Sequence, residues 1–283
     1  MRRVSVALLI LALALVAAAG CAKPVAPAAP AAGQPAADSG SAPQKVVLKV
    51  GATPVPHAEI LNVIKPMLEK EGIDLQIQEF TDYVQPNEAL ASGQLDANFF
   101  QHIPYLEDFA SKRNLPLTYT VKVHIEPMGV YSKKVTRLED VKPGSLVGIP
   151  NDPTNGGRAL AVLAKAGLIT LKDGVGVNAT VNDITGNPKN LKIKELEAAQ
   201  LPRSLDDVAL AVINSNFAMQ AGLVPTKDSL FIESSDSPYA NVLAVRKGDE
   251  KKDAIVKLGQ ALTSPEVKKF IEEKYQGAVV AAF

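Results

Sequence analysis

The sequence has little cysteine and no excess of either charge. Cys21 is the only cysteine, so an intramolecular disulfide is impossible. The 30 Lys and Arg side chains balance 30 Asp and Glu side chains, and they fall to 28 if Arg2 and Arg3 are removed with a signal sequence. Because no basic excess remains, we do not expect nucleic acid to be a partner.

Sequence motifs of common enzymes are also missing. The chain contains no Gly-x-Ser-x-Gly, no Walker loop, no Gly-x-Gly-x-x-Gly and no His-Glu-x-x-His. The lone cysteine lies next to the apolar N-terminal segment, which is an unsuitable place for a catalytic nucleophile. We therefore expect a binding protein that is not an enzyme and that uses no cofactor.

The long apolar run of the sequence lies at its N-terminus. Residues 1–20 combine a basic start with an apolar core, which is the pattern of a signal peptide and is too short for a spanning helix. Cys21 follows three small residues, as in a bacterial lipobox, where the cysteine is lipidated and becomes the new N-terminus. The alternative is ordinary secretory cleavage near Gly20. Residues 21–44 then comprise this cysteine and a linker rich in Ala and Pro.

From Lys45 onwards, strand and helix patterns alternate. Ile73, Leu75 and Ile77 alternate with polar residues, whereas the apolar residues of 60–68 follow a helical spacing. The alternation predicts an α/β fold with a largely parallel sheet. We expect the chain to cross between two lobes near residues 126 and 241. Lobe 1 then comprises 45–126 and 242–283, lobe 2 comprises 127–241, and a ligand cleft lies between them.

The stretch from Asn151 to Arg158 is the strongest local candidate for a binding site. It follows an apolar strand, and Asp152 and Pro153 are favourable as the N-cap and first residue of a helix. Asn155 and Arg158 share one face of that helix, near its free N–H groups, which suits a small carboxylate. The two glycines between them leave room for close approach to the backbone. The alternative is an ordinary capped helix with a surface arginine.

Several motifs along the chain resemble those of the NlpA/MetQ family, the substrate-binding lipoproteins of methionine ABC importers. They occur in the family's order and span the whole region after the linker, in the stretches 82–87, 96–102, 151–158, 187–191, 201–207 and 237–241. The resemblance implies a two-lobed periplasmic-binding-protein fold, type II-like, that closes on a free amino acid. It further implies a monomer that is lipid-anchored at the extracytoplasmic face of the cell membrane. Such a receptor delivers L-methionine, or a close derivative, to the permease and ATPase of an importer.

The candidate ligand-binding residues follow from this resemblance and from their chemistry. Arg158 and Asn155 suit the α-carboxylate, and amide oxygens suit the α-ammonium because a buried, unpaired carboxylate is costly. An aromatic wall suits the thioether. Strand neighbours face opposite sides, so only one of Phe99 and Phe100 can belong to it, and the resemblance to the family implies Phe100. We expect two of the histidines to line the same pocket. The full set is Tyr83, Phe100, His102, Tyr105, His124, Asn155, Arg158, Asn214 and Asn241.

A metal-binding lipoprotein is the alternative function. Its ligands would be His57, His102 and His124, with a carboxylate such as Glu59 or Glu126. Against this alternative, no two histidines have a chelating i,i+4 spacing. For His57 by itself we favour a structural role.

Overall fold

The computed structural model of the chain describes residues 45–283. The predicted signal peptide, Cys21 and the predicted linker lie outside these residues. Among the helices that the structure describes, none is long and apolar enough to cross a membrane.

The strands and helices largely follow the alternation predicted from the sequence. In chain order, the strands are β1 (Val46–Ala52), β2 (Ile73–Glu79), β3 (Ala97–His102), β4 (Leu117–Ile125), β5 (Gly129–Tyr131), β6 (Leu146–Pro150), β7 (Thr170–Leu171), β8 (Ile184–Gly186), β9 (Lys192–Leu196), β10 (Leu210–Ile213), β11 (Phe231–Ile232), β12 (Ala240–Arg246) and β13 (Val280–Ala281). The helices are α1 (Glu59–Lys70), α2 (Gln85–Ala91), α3 (Ile103–Arg113), α4 (Pro153–Lys165), α5 (Leu201–Ser204), α6 (Ser215–Gln220), α7 (Pro225–Asp228), α8 (Asp253–Leu262) and α9 (Pro265–Tyr275). The short β7–β8 hairpin and β13 were not predicted.

Local capping chemistry explains where two of the helices begin. The Asp152 side chain accepts a hydrogen bond from the backbone N–H of Asn155 and so caps α4, with Pro153 as its first residue. Ser264 caps α9 in the same way by accepting from Val267 N–H. Each cap satisfies a helix N–H that would otherwise lack a partner. The start of α4 is as predicted from the sequence.

The first sheet is mixed, so the prediction of a largely parallel sheet is wrong. Its strand order is β13-β4-β12-β3-β1-β2, in which β1 is parallel to β2 and β3. The later strand β12 is antiparallel to both β3 and β4, and β13 is antiparallel to β4. Alternating strand and helix patterns do not reveal this, because β12 enters the sheet only after the chain has built the second sheet.

The second sheet has the order β11-β5-β10-β6-β9. Here β6 is parallel to β10 and β9, whereas β5 is antiparallel to its neighbours β10 and β11. Each sheet has its own apolar core. Ile64, Leu258 and Ile271 belong to the core of the first sheet, and Leu160 and Val212 to that of the second.

The chain crosses between the sheets twice. The first crossing lies between the end of β4 at Ile125 and the start of β5 at Gly129. The second lies between β11 and β12, and Asn241 is therefore already a residue of the first sheet, paired with His102 and His124. The lobe boundaries at 126 and 241 stay a prediction. Ala240 and Asn241 already belong to the first sheet, because β12 begins at Ala240.

Candidate ligand-binding site

A small cavity lies between residues of the two sheets. Residues at the C-terminal ends of strands form part of its wall. The C-terminal ends of parallel strands meet at one edge of a sheet, where α/β proteins commonly bind ligands. His102 ends β3 and Glu126 follows β4, while Asn214 follows β10. The cavity is lined by Tyr83, Phe100, Gln101, His102, Tyr105, Glu126, Asn155, Arg158, Asn214, Ser215, Asn216 and Asn241. Among the predicted site residues, His124 does not line it.

Arg158 is held by a buried carboxylate that was not predicted. Its Nη2 donates to Glu233 Oε2 at 2.6 Å and to the carbonyl oxygen of Glu126 at 2.7 Å, and its Nε donates to Glu233 Oε2 at 3.0 Å. The guanidinium carbon lies 4.1 Å from the ring centroid of Tyr239, a cation–π distance. The Nε–Nη2 edge of Arg158 is thus occupied within the protein, so Nη1 is the nitrogen left to bind a ligand carboxylate.

Asn155 is also fully engaged inside the protein. Its Nδ2 donates to both oxygens of Asp152 at 3.0 Å, and its Oδ1 accepts from Asn214 Nδ2 at 2.8 Å. His102 Nδ1 accepts from the N–H of Tyr105, so the imidazole proton lies on Nε2, which donates to Asn155 Oδ1 at 3.0 Å. Asn155 therefore joins the two sheets and orients its neighbours.

Two polar atoms of residues in the cavity wall have no partner among the described residues. They are the buried atoms Asn214 Oδ1 and Asn216 Nδ2. A buried polar group without a hydrogen bond costs about 1–3 kcal/mol. This cost makes the two atoms candidate acceptor and donor for a polar ligand. Asn216 lies in the first turn of α6 and was not among the predicted site residues.

The aromatic wall consists of Tyr83, Phe100 and Tyr105. The ring centroids of Tyr83 lie 5.9 Å from Phe100 and 5.7 Å from Tyr105. The Tyr83 hydroxyl donates to Asn216 Oδ1, and the Tyr105 hydroxyl donates to the carbonyl of Tyr83, so both hydroxyls have partners. Phe99 faces the other way and belongs to the apolar core of the first sheet.

The glycines of α4 serve packing. A Cβ at Gly157 would collide with the carbonyl oxygen of Val177, and one at Gly156 would lie 2.9 Å from the carbonyl oxygen of Pro150. The close approach to the backbone that these glycines were expected to allow is made by the protein itself, since two other backbone segments pack against the helix there.

The histidines separate into two environments. His102 bonds to Asn155, whereas His57 and His124 both lie against Glu126, with ring centroids 4.9 Å apart. The predicted metal set of three histidines is thus not assembled. Among residues 45–283, His57, His124 and Glu126 do place donor atoms within 4.8 Å of one another, and their geometry is equally that of a hydrogen-bonded cluster.

Burial is the main cause of the pKa shifts of the three histidines and of Glu126. It lowers the pKa of His57 to about 4 and the pKa values of His102 and His124 to about 3, so all three imidazoles are neutral near pH 7. Burial raises the pKa of Glu126, while the neighbouring His57 and Arg158 act against that rise. Glu126 also places a carboxyl group in the cavity wall, which was not predicted from the sequence.

Comparison with known proteins places the chain in a family. Residues 48–283 match the model of the NlpA lipoproteins. The chain belongs to the NlpA lipoprotein family. Relatives include the D-methionine-binding lipoprotein MetQ of Salmonella typhimurium, 47% identical over 82% of this chain and 87% of the relative. MetQ of Escherichia coli is 45% identical with the same coverage.

Solved structures of relatives share the fold. A nutrient-binding protein from Burkholderia cenocepacia bound to methionine is 50% identical, with a TM-score of 0.80, over 83% of this chain and 100% of that one. The methionine-binding protein MetQ is 44% identical, with a TM-score of 0.80, over 84% and 98%. The family and the two-lobed periplasmic-binding fold predicted from the sequence motifs are therefore confirmed.

Proposed function

We propose that this NlpA-family protein captures L-methionine, or a close derivative, and delivers it to an ABC importer. The observation that carries the proposal is the cavity, which joins an aromatic wall to a set of buried polar donors and acceptors. Support comes from the relative from Burkholderia cenocepacia, which is 50% identical and was solved with methionine bound. We propose that the protein acts as a monomer and as a carrier without catalytic activity.

The polar groups of the cavity wall divide into hydrogen-bond donors and acceptors. Arg158 Nη1 and Asn216 Nδ2 are donors and suit the α-carboxylate. Asn214 Oδ1 and the side chains of Glu126 and Asn241 offer acceptors and suit the α-ammonium. We place Asn155 and His102 behind these groups, because their side-chain bonds already join the two sheets.

The aromatic wall suits the thioether. Sulfur packs favourably against aromatic rings, by about 0.3–1.5 kcal/mol for each contact. A charged side chain would lose its hydration there without gaining a partner. The ligand would contact both sheets, so its binding favours the closed arrangement of the two lobes. As part of this proposal we keep the lobes at 45–126 with 242–283 and at 127–241, and assign Ala240 and Asn241 to the first lobe because they begin β12.

A ligand panel tests this function. We expect L-methionine to raise the melting temperature clearly, and alanine to do so weakly, because each buried methylene it lacks costs about 0.8 kcal/mol. Glutamate and lysine should produce no shift. D-Methionine belongs in the panel because the curated relatives carry that ligand in their names. Stabilisation by Zn²⁺ together with no response to either methionine isomer would favour the metal-binding alternative.

The anchor is a separate part of the proposal. Members of the family are lipoproteins, and we propose that Cys21 carries the lipid that holds this chain at the outer face of the cell membrane. We expect Cys21→Ala to move the protein from the membrane fraction to the soluble extracytoplasmic fraction while its ligand affinity stays unchanged. Wild-type protein found wholly in the soluble fraction would contradict lipidation at this cysteine.

A further inference from the structure

Four buried side chains form a hydrogen-bonded cluster behind the ammonium end of the cavity. His57, His124, Glu126 and Asn241 are each at most 6% exposed. Glu126 and Asn241 line the cavity, whereas the two histidines do not. The cluster is assembled by the pairing of β12 with β4 and by the chain that leaves β1 at the same sheet edge. The proposed function gives no task to either histidine.

The hydrogen bonds fix the tautomer of each imidazole. His57 Nε2 lies 3.1 Å from Asn241 Oδ1 and 3.3 Å from Glu126 Oε1, and both of these atoms are acceptors. The Nε2 atom must therefore carry the proton, and Nδ1 accepts from the Thr53 hydroxyl at 2.7 Å. His124 Nε2 lies 2.8 Å from the same Glu126 oxygen and is likewise the donor.

The His124 N–H thus donates to one oxygen of Glu126, and the His57 N–H, which donates to Asn241, lies 3.3 Å from the same oxygen. This arrangement orients the carboxyl group and leaves its other oxygen for a ligand. The bond from His57 also decides which end of the Asn241 amide is fixed, since only Oδ1 can accept it. The second lone pair of that oxygen remains an acceptor. Both groups are then arranged to receive hydrogen bonds from a cation.

We propose that His57 and His124 are positioning residues that confer selectivity for the α-ammonium group by orienting Glu126 and Asn241. This inference rests on the proposed function, because it assigns the ammonium end of the same site. Neither histidine touches the ligand. Their contribution should therefore depend on whether the ligand has an ammonium group at all.

The test compares L-methionine with 4-(methylthio)butanoate, which lacks the ammonium group but keeps the carboxylate and thioether. The measured quantity is a ratio of dissociation constants from calorimetry, namely that of 4-(methylthio)butanoate divided by that of L-methionine. Glutamine places an amide where His Nε2 lies, whereas asparagine reaches only to the position of Nδ1. We expect His57→Gln and His124→Gln to keep the wild-type ratio within about threefold, and His57→Asn and His124→Asn to lower it at least tenfold.

Two further variants control for packing and folding. Phe99 lies 4.7 Å from His57 and 5.3 Å from His124 between ring centroids, so Phe99→Leu disturbs the same core without removing a hydrogen bond. It should leave the ratio unchanged. Thr53→Val is nearly isosteric and removes the hydrogen bond at Nδ1 that holds the His57 ring in its orientation, so it should lower the ratio even if the asparagine variants fold poorly.

The outcomes separate this inference from the proposed function. Asparagine and valine variants that weaken both ligands equally would overturn the positioning role, and so would a fall of the ratio in Phe99→Leu. Wild-type protein that fails to bind methionine would overturn the proposed function and this inference with it. A wild type that binds methionine, with variants that leave the ratio unchanged, would overturn the inference alone.

Discussion

Replacing Arg158 with alanine is expected to weaken methionine binding by about 2–5 kcal/mol, because a desolvated charge pair loses one partner. The same change leaves Glu233 buried without its cation, and its side chain is only 4% exposed. Breaking such a buried pair typically costs about 3–5 kcal/mol of folding free energy. Calorimetric titration and urea unfolding measure the two effects separately.

Two controls sharpen this prediction. Arg137→Ala removes an arginine whose side chain is 68% exposed and should change neither quantity. Arg158→Lys should also bind poorly, since one ammonium cannot bond Glu233 and the Glu126 carbonyl and still reach the ligand. An unchanged methionine affinity in Arg158→Ala would place the ligand carboxylate elsewhere.

Acidification from pH 7 to pH 5 is expected to lower the free energy of unfolding of the ligand-free protein. The pKa values of His57, His102 and His124 lie at about 3 to 4 in the folded state, below the ordinary value of 6.5. Below pH 6.5, the three imidazoles therefore bind protons in the unfolded chain but not in the folded chain. Each imidazole then costs about 1.4 kcal/mol of stability for every pH unit.

Two carboxyl groups act in the opposite direction. Burial raises the pKa values of Glu126 and Asp152, so the folded state binds their protons first as the pH falls. Because the three imidazoles outnumber the two carboxyl groups, the free energy of unfolding still falls as the pH falls. Urea unfolding at a series of pH values measures it, and His102→Gln should reduce the slope by about one proton. A free energy of unfolding that stays constant between pH 7 and pH 5 would contradict the burial of neutral histidines.

Features encoded locally could be predicted from the sequence. Asp152 and Pro153 define the start of α4 through their own backbone chemistry, and the alternation of a strand places Phe100 on the cavity side when Phe99 is in the core. The family motifs supplied the fold and the ligand class. They also led to most of the residues that line the cavity.

Features that depend on distant pairing could not be predicted in this way. Glu233 lies 75 residues after Arg158, and nothing in its neighbourhood marks it as an ion-pair partner. Asn241 reaches His57 from β12, which enters the first sheet between β3 and β4 and antiparallel to both, an arrangement that a largely parallel sheet does not predict. Since Glu126 was considered only as a metal ligand, its place in the cavity wall was missed as well.

Mass spectrometry of the small molecules released from the purified protein tests the central claim most directly. The protein is denatured after gentle purification, and its supernatant is analysed for amino acids, with chiral separation, and for metals. Release of methionine or a close derivative is the predicted result, and Arg158→Ala purified in parallel should release little of it. Release of a stoichiometric metal ion without any amino acid would contradict the account.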